Sequence, residues 1–367
     1  MEQRFTTSAA RTFFHARQRG PVLGTLKAFM GPQRSTTYIE LARLLVVSCL
    51  VLFCQVDAHA ADDAYADRAD VAEYVDMLVS EHGFSEPALY ELFAQTQRND
   101  RVLELIARPA ERRLEWFEYR KILVDEPRIE LGVEFWQDNV QTLKRAQSTY
   151  GVAPEYIVAI IGVETRYGRI TGSYPVMNAL TTLGFDYPPR ASFFKSELTQ
   201  FLLLAREEGR DPVELKGSYA GAMGYGQFIP SSYRHYAVDF DNDGVRDIWS
   251  NKVDAIGSVA NYFARHGWRG DSAVAVRAEV PDDRLAKEAN VALKPGITVA
   301  DLRAKGLRVG LPDNTKVALF RMVSDDGPEY WLGLDDFYVI TRYNRSRMYA
   351  LAVHQLSQAI KAQWQAR

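Results

Sequence analysis

Apolar residues recur at helical spacing along most of the chain. Val71–His82 (VAEYVDMLVSEH) sets them three and four positions apart and stops at Gly83. Ser85-Glu86-Pro87 opens a second helix that the pattern carries through Phe93. Leu103–Ile106, Leu114–Ile122, Val133–Ala146 and Phe193–Glu208 continue it, and Gly151-Val152-Ala153-Pro154 introduces a more apolar helix. The character changes between about 273 and 320. There Ala273–Val276, Val291–Leu293 and Val317–Phe320 are short β-type runs broken by Pro, Gly and Asp. Tyr338–Thr341 leads into a final helix, Met348–Trp364. The pattern predicts a mainly α protein of the α+β type. It divides into a helical domain over 61–147, a core over 148–272, a small inserted β domain over 273–335, and a segment 336–367 returning to the helices.

The first sixty residues stand apart from this pattern. Leu44–Phe53 is an apolar run of ten residues, too short for a bilayer, which needs about 20. It follows seven basic residues and leads into Ala58-His59-Ala60, a small-x-small cleavage site. This reads as a secretory signal peptide, with the mature chain starting near Ala61 and export to the periplasm. Met30 is an alternative start. Val46-Val47-Ser48-Cys49 offers a second alternative, a lipobox that would lipidate Cys49 and anchor the protein to the outer membrane. Both cysteines, Cys49 and Cys54, fall in this segment, so an exported mature chain holds no disulfide and relies on its core. Removing residues 1–60 takes away seven basic and three acidic residues, leaving 37 basic against 44 acidic and a net charge of −7. A mildly acidic chain without a basic run gives no electrostatic case for nucleic acid.

One carboxylate sits at the end of the most apolar helix. In Ile160-Ile161-Gly162-Val163-Glu164-Thr165-Arg166-Tyr167-Gly168, Glu164 falls near the helix C-terminus, before a glycine stop. Ile157, Ile160 and Ile161 lie seven, four and three residues back and share its face. Burial raises a carboxyl pKa by disfavouring the charge, and the negative end of the helix dipole pushes the same way. An acid kept protonated near neutral pH can donate to a leaving oxygen, the step that glycosidic cleavage requires. The same residues also fit a buried glutamate held by an arginine such as Arg166.

Asp239-Phe240-Asp241-Asn242-Asp243-Gly244-Val245-Arg246-Asp247 places acidic residues at positions 1, 3, 5 and 9 and glycine at 6. An EF-hand loop needs this spacing to coil oxygen ligands around Ca2+. Ser250 stands at position 12, and Asp254, four residues on, is the nearest acidic substitute. Asp239, Asp241, Asp243, Asp247 and Asp254 are the candidate ligands of a structural Ca2+; a solvated acidic turn capping the next helix is the alternative. The glycine-rich segment Gly217–Pro230 lacks the spacing of a phosphate loop. Its small residues, aromatics and amides suit a backbone passing close to a flat sugar, or a tight connection between helices. In Arg342-Tyr343-Asn344-Arg345-Ser346, Tyr343 and Asn344 offer an aromatic and an amide to a saccharide, or Asn344 caps the last helix. The six histidines make no HExxH or paired ligand spacing, and no GxSxG elbow is present.

Together GVETRYG, GSYAGAMGYGQFIPSSY, DFDNDGVRDIW, DAIGSVANYFARHGW and RYNRS closely resemble the membrane-bound lytic murein transglycosylase B family, as do RPAERRLEWFEYR and GVEFW. The resemblance covers about 70–367. It implies a lysozyme-like helical core, an added helical domain built from both chain ends and a small β domain. It also implies cleavage of the MurNAc–GlcNAc β-1,4 bond of peptidoglycan without water, leaving a 1,6-anhydromuramic end. Glu164 would then be the single acid/base, because the substrate's own 6-hydroxyl can replace a second protein group through its high effective molarity. Ser218 and Gln227 match positions that bind substrate or orient the acid. Tyr119, Phe193, Phe228, Tyr262, Tyr343, Asn344 and Tyr349 match saccharide-groove positions, where rings stack on sugar faces. Arg190 matches an arginine that contacts carboxylates, while Pro189 and Phe193 replace the arginine and tyrosine of the family pattern. The implied partner is the glycan strand, met by a monomer. A hydrolytic muramidase and a non-catalytic peptidoglycan-binding scaffold are the rival readings.

Overall fold

The computed structural model describes residues 64–108 and 114–367, and the leader segment with Met30, Cys49 and Cys54 lies outside them. Among the described residues, 64–98 form one compact unit and the remainder, from Asn99 on, a second. The first unit is a 3₁₀ turn, Tyr65–Asp67, followed by α1 (Ala69–His82) and α2 (Glu86–Gln95). Gly83 ends α1 in the left-handed region (φ 62°), where glycine meets no Cβ penalty. Within the unit, Tyr74 packs edge-on against Phe93 at 6.2 Å between ring centres.

The second unit begins with α3 (Asp100–Ala107), α4 (Trp116–Leu123), α5 (Glu126–Asp138) and α6 (Val140–Tyr150). The pattern over Val133–Ala146 predicts one helix, and the structure breaks it at Asn139. That side chain donates to the Phe135 carbonyl, and its backbone leaves the helical region (φ −123°, ψ 23°). Next come α7 (Pro154–Thr165), α8 (Val176–Asp186), α9 (Ala191–Glu207), α10 (Pro230–Tyr236) and α11 (Lys252–Arg265). Two short strands, β1 (Tyr174–Pro175) and β2 (Lys216–Gly217), pair antiparallel.

The inserted sheet has β3 (Ala275–Ala278), β4 (Ile297–Thr298), β5 (Lys316–Ser324) and β6 (Gly327–Gly333), in antiparallel order β3-β6-β5-β4. Its core holds Leu285, Val299, Leu302, Val317, Leu319 and Leu332, with α12 (Val299–Ala304) contributing two of them. Val291–Leu293 is not a strand as expected: it is a loop with Val291 79% exposed, and the pairing falls to Ile297–Thr298. Pro295 after it lacks the amide that a ladder needs. Tyr338–Thr341 lies inside a helix of its own, α13 (Asp335–Tyr343), ahead of α14 (Arg347–Gln365).

The helix α7 is buried on every side rather than on one face. It packs against α14, α5, α6 and α11. Isoleucine and valine are indifferent helix formers, at about 0.5 kcal/mol each relative to alanine. Burying each such side chain stabilises by about 2 kcal/mol, so tertiary burial decides the conformation. The helix starts at Pro154, whose ring suits the first turn, and ends at Thr165. The stop is not at Gly168 alone. Arg166, Tyr167 and Gly168 are all left-handed, with φ of 49°, 62° and 85°. Such backbone costs on the order of 1–2 kcal/mol per non-glycine residue and needs tethers. Arg166 and Tyr167 amides bond back to the Gly162 and Ile161 carbonyls, and the Tyr167 hydroxyl donates to the Arg128 carbonyl at 2.8 Å.

Candidate active site

The side chain of Glu164 stands where α7 meets α14. The Tyr349 hydroxyl, completely buried in α14, donates to Glu164 Oε1 at 2.6 Å. Protein crowds the carboxyl while part of the residue stays open to the surface. Burial pushes its pKa up to about 7, and the Tyr349 bond, which favours the charged form, restrains that rise. Arg166 does not hold Glu164. It pairs with Asp125 at 2.8 Å, and Asp125 also meets the buried Arg128 at 3.4 Å. Arg128 in turn donates to the Gly162 carbonyl at 3.1 Å, fixing the turn of α7 that carries the acid. Thr165 braces the same end by donating to the Tyr225 carbonyl at 3.0 Å.

Other buried carboxylates are committed elsewhere. Glu197 accepts from the Ser231 amide and hydroxyl, capping α10. Asp336 accepts from the Arg269 and Gly270 amides, and Glu155 pairs with Lys361 at 2.8 Å. Among the described residues Glu164 has a single hydrogen-bond partner, the Tyr349 hydroxyl on Oε1, which leaves Oε2 for chemistry. No other carboxylate contributes to its raised pKa among the described residues.

Beside the acid, the rings expected to stack on sugars divide into two kinds. Tyr349, Phe228 and Tyr262 are 0%, 3% and 7% exposed, which corrects the expectation of open stacking faces. Phe228 and Tyr262 form an aromatic wall with Tyr343, at 6.0 and 4.7 Å between ring centres. The Tyr262 hydroxyl donates to the Arg342 carbonyl, and the Tyr343 hydroxyl to the Gly226 carbonyl at 2.5 Å. Tyr119, Phe193 and Asn344 are half-buried and keep some surface. The Arg190 guanidinium lies 4.1 Å from the Phe193 ring centre, so that pair is a cation–π unit and not two independent contacts.

The glycine-rich segment is a compact turn rather than an open loop. Ser218 Oγ accepts from the Ala220 and Ala222 amides, and the Met223 and Phe228 backbones pair in both directions. Gln227 is left-handed (φ 50°), and its amide donates to the Thr171 and Gly224 carbonyls. A Cβ on Gly224 (φ 67°) would lie 2.4 Å from the Ile248 carbonyl oxygen, so this turn also packs on the acidic loop.

In the acidic loop, Asp239, Asp241 and Asp254 bring carboxylate oxygens within 4.8 Å of one another. Asp254 is fully buried and accepts from the Phe240 and Asp247 amides, while the Asn251 amide holds Asp241 below its ordinary pKa. Oxygen donors without nitrogen or sulfur suit a hard cation such as Ca2+. The structure does not bring Asp243 and Asp247 into this group. Asp243 accepts from the Val245 amide, and Asp247 accepts from Trp249 and Ser250 and meets Arg210 at 3.3 Å. The sequence reading gave no role to Asp125, Arg128, Thr165 or Tyr225, although the last two stand inside the motifs, because the bonds by which they position the acid span 34 to 60 residues.

Comparison with known proteins then places the chain. A family model described as the transglycosylase SLT domain matches residues 66–358. Membrane-bound lytic murein transglycosylase B of Escherichia coli K12 is 44% identical over 307 residues, spanning 81% of this chain and 84% of that protein. The crystal structure of catenated lytic transglycosylase SltB1 from Pseudomonas aeruginosa superposes with a TM-score of 0.79 at 52% identity, covering 82% of this chain and 99% of that one. The E. coli lytic transglycosylase Slt35, solved in complex with calcium, gives a TM-score of 0.74 at 44% identity, covering 83% and 94%. By motif, fold and identity over most of its length, the chain belongs to the SLT-domain lytic transglycosylase family.

Proposed function

We propose that the protein is a peptidoglycan lytic transglycosylase that cleaves the MurNAc–GlcNAc β-1,4 bond and closes a 1,6-anhydromuramic end. The observation that carries this is the Glu164 carboxyl, held near pKa 7 by burial, with the Tyr349 hydroxyl its one hydrogen-bond partner among the described residues. Protonated Glu164 donates to the glycosidic oxygen as the bond to C1 breaks. The resulting carboxylate takes the proton of the 6-hydroxyl as that oxygen closes on C1. One group serves as acid and then as base, which suits a pKa near the working pH. Hydrolytic glycosidases need a second carboxylate at about 5–9 Å. Among the described residues the buried Glu197, Asp336 and Glu155 are bonded to Ser231, to the Arg269 and Gly270 amides and to Lys361, which favours the internal hydroxyl over water.

Ser218, Gln227, Tyr119, Arg190, Phe193 and Asn344 line the approach to the acid, with Phe228, Tyr262, Tyr343 and Tyr349 forming its wall. Asp239, Asp241 and Asp254 would hold a Ca2+ that ties the loop to α11, stabilising the fold without entering the reaction. The protein works as an exported monomer in the periplasm, its chain divided into a helical segment 61–147, a core 148–272, a β insert 273–335 and a C-terminal segment 336–367. Mass spectrometry of muropeptides released from purified sacculi tests the reaction. Products one water lighter than muramidase fragments, absent with Glu164→Gln, are the expected result. Hydrated reducing ends would make the protein a hydrolase, and no release at all would leave a binding scaffold.

A further inference from the structure

The linker between α13 and α14 faces two ways. Tyr343 and Tyr349 belong to the wall around Glu164. Arg342, Arg345 and Arg347, interleaved with them, line a separate cavity of about 630 Å³. Lys294, on the loop before β4, lines the same cavity, as do Tyr338 and Phe320. Glu164, Tyr343 and Tyr349 do not line it. Four cationic side chains therefore share one cavity that, among the described residues, no carboxylate lines.

No salt bridge or side-chain hydrogen bond engages any of the four among the described residues. Arginines elsewhere in the unit are paired, such as Arg246 with Glu208 and Arg321 with Asp283. Arg347 Nε is buried without an acceptor. Burial disfavours the Arg347 charge, and Glu115, beside it in a smaller adjoining cavity, offsets that only in part. Clustered like charges repel, and a buried guanidinium N–H without a partner is destabilising. An anion entering the cavity relieves both.

We propose that this cavity binds the carboxylates of the stem peptide carried by the muramic residue of a strand held at Glu164. This rests on the transglycosylase reading above. The peptide leaves the sugar through its lactyl group as a short polyanion. Arg342 and Arg345 directly flank Tyr343 and Asn344, so their chains start one residue, about 4 Å, from the groove. Guanidinium forks match carboxylates in bidentate geometry, and a concave cluster of cations draws an anionic chain in from a distance.

The test is steady-state kinetics of the full chain on two substrates: soluble glycan strands bearing stem peptides, and the same strands after an amidase has removed the peptides. Arg345→Gln and Lys294→Gln alter exposed side chains with little risk to folding. The ratio of kcat/KM for peptide-bearing over peptide-free strands should fall about three- to tenfold in Arg345→Gln, the loss of one charge-assisted contact. The fall should come through KM, shrink at high salt and be largely restored in Arg345→Lys. A ratio unchanged in both glutamine variants overturns the proposal. So does a loss that is equal on the two strands. Failure of the wild type to form anhydro ends on either strand overturns the transglycosylase reading instead.

Discussion

Replacing Glu164 by glutamine should stabilise the folded protein at alkaline pH and leave it nearly unchanged in acid. The carboxyl titrates near its ordinary 4.5 when the chain is unfolded and at about 7 when folded. Below pH 4.5 both states keep the proton. Between pH 4.5 and 7 the unfolded state has lost it and the folded state has not, so wild-type stability falls as pH rises, by about 1.4 kcal/mol per unit. Above pH 7 the penalty is complete. The gap from 4.5 to about 7 corresponds to roughly 3 kcal/mol, and the open edge of the site screens this to about 2 kcal/mol. Glutamine keeps the volume and an oxygen for Tyr349 but does not titrate, so it escapes this loss. At about 2–4 °C per kcal/mol, Glu164→Gln should melt within a degree or so of wild type at pH 4 and about 4–8 °C above it at pH 8. Thermal and urea unfolding of both proteins from pH 4 to 8 measures this. Other titrating groups cancel in the difference. A gap that stays constant with pH, or a wild type more stable than the variant at pH 8, would refute the claim that burial raises the pKa of Glu164.

Tyr349→Phe removes the bond that favours ionised Glu164, so the alkaline limb of the pH–rate profile should move up while kcat falls about tenfold; a limb that moves down contradicts the assignment. Gly162→Ala would set a Cβ 2.4 Å from the Tyr167 hydroxyl and should cost about 1–3 kcal/mol by urea denaturation. His354, bonded to the Tyr156 hydroxyl at 2.9 Å, has its pKa lowered from 6.5 to about 4 by burial. The stability it contributes is present above pH 6.5 and lost as pH falls toward 4, by up to roughly 3 kcal/mol, and His354→Gln should flatten that acid limb in urea titrations. Calcium at 100 times its Kd should raise stability by about 2.7 kcal/mol in thermal melts, and Asp241→Asn should weaken the response. An equal melt with and without calcium would leave the acidic loop a solvated turn.

Long, periodic elements were legible in the sequence because their apolar spacing is local information, as in Val71–His82 and the final helix. The acid was legible too, since a carboxylate set at the end of an apolar run needs no tertiary knowledge to stand out. What sequence could not show was the direction of side chains at long range. Arg166 looked like the partner of Glu164, two residues away, yet its guanidinium turns to Asp125 and the acid meets Tyr349 instead. Phe228 and Tyr262 read as open rings, and only the packing of α11 and α13 shows their faces covered. The strand Gly327–Gly333 went unread because Gly327 and Pro328 begin it, although pairing with Lys316–Ser324 outweighs their weak propensity. In the acidic loop the spacing gave five candidates, and the actual fold of the turn gathers three.

The bond between Glu164 and Tyr349 joins residues 185 positions apart. During synthesis the acid is therefore made long before its cover. A chain that has not reached residue 349 lacks both the hydroxyl that meets the carboxyl and the helix that packs over α7. Competence to cut the wall arrives as a late event, with the docking of Arg347–Gln365 onto α7. The same dependence runs in reverse: undocking Arg347–Gln365 would strip the acid of its Tyr349 partner without touching the residue that performs the chemistry.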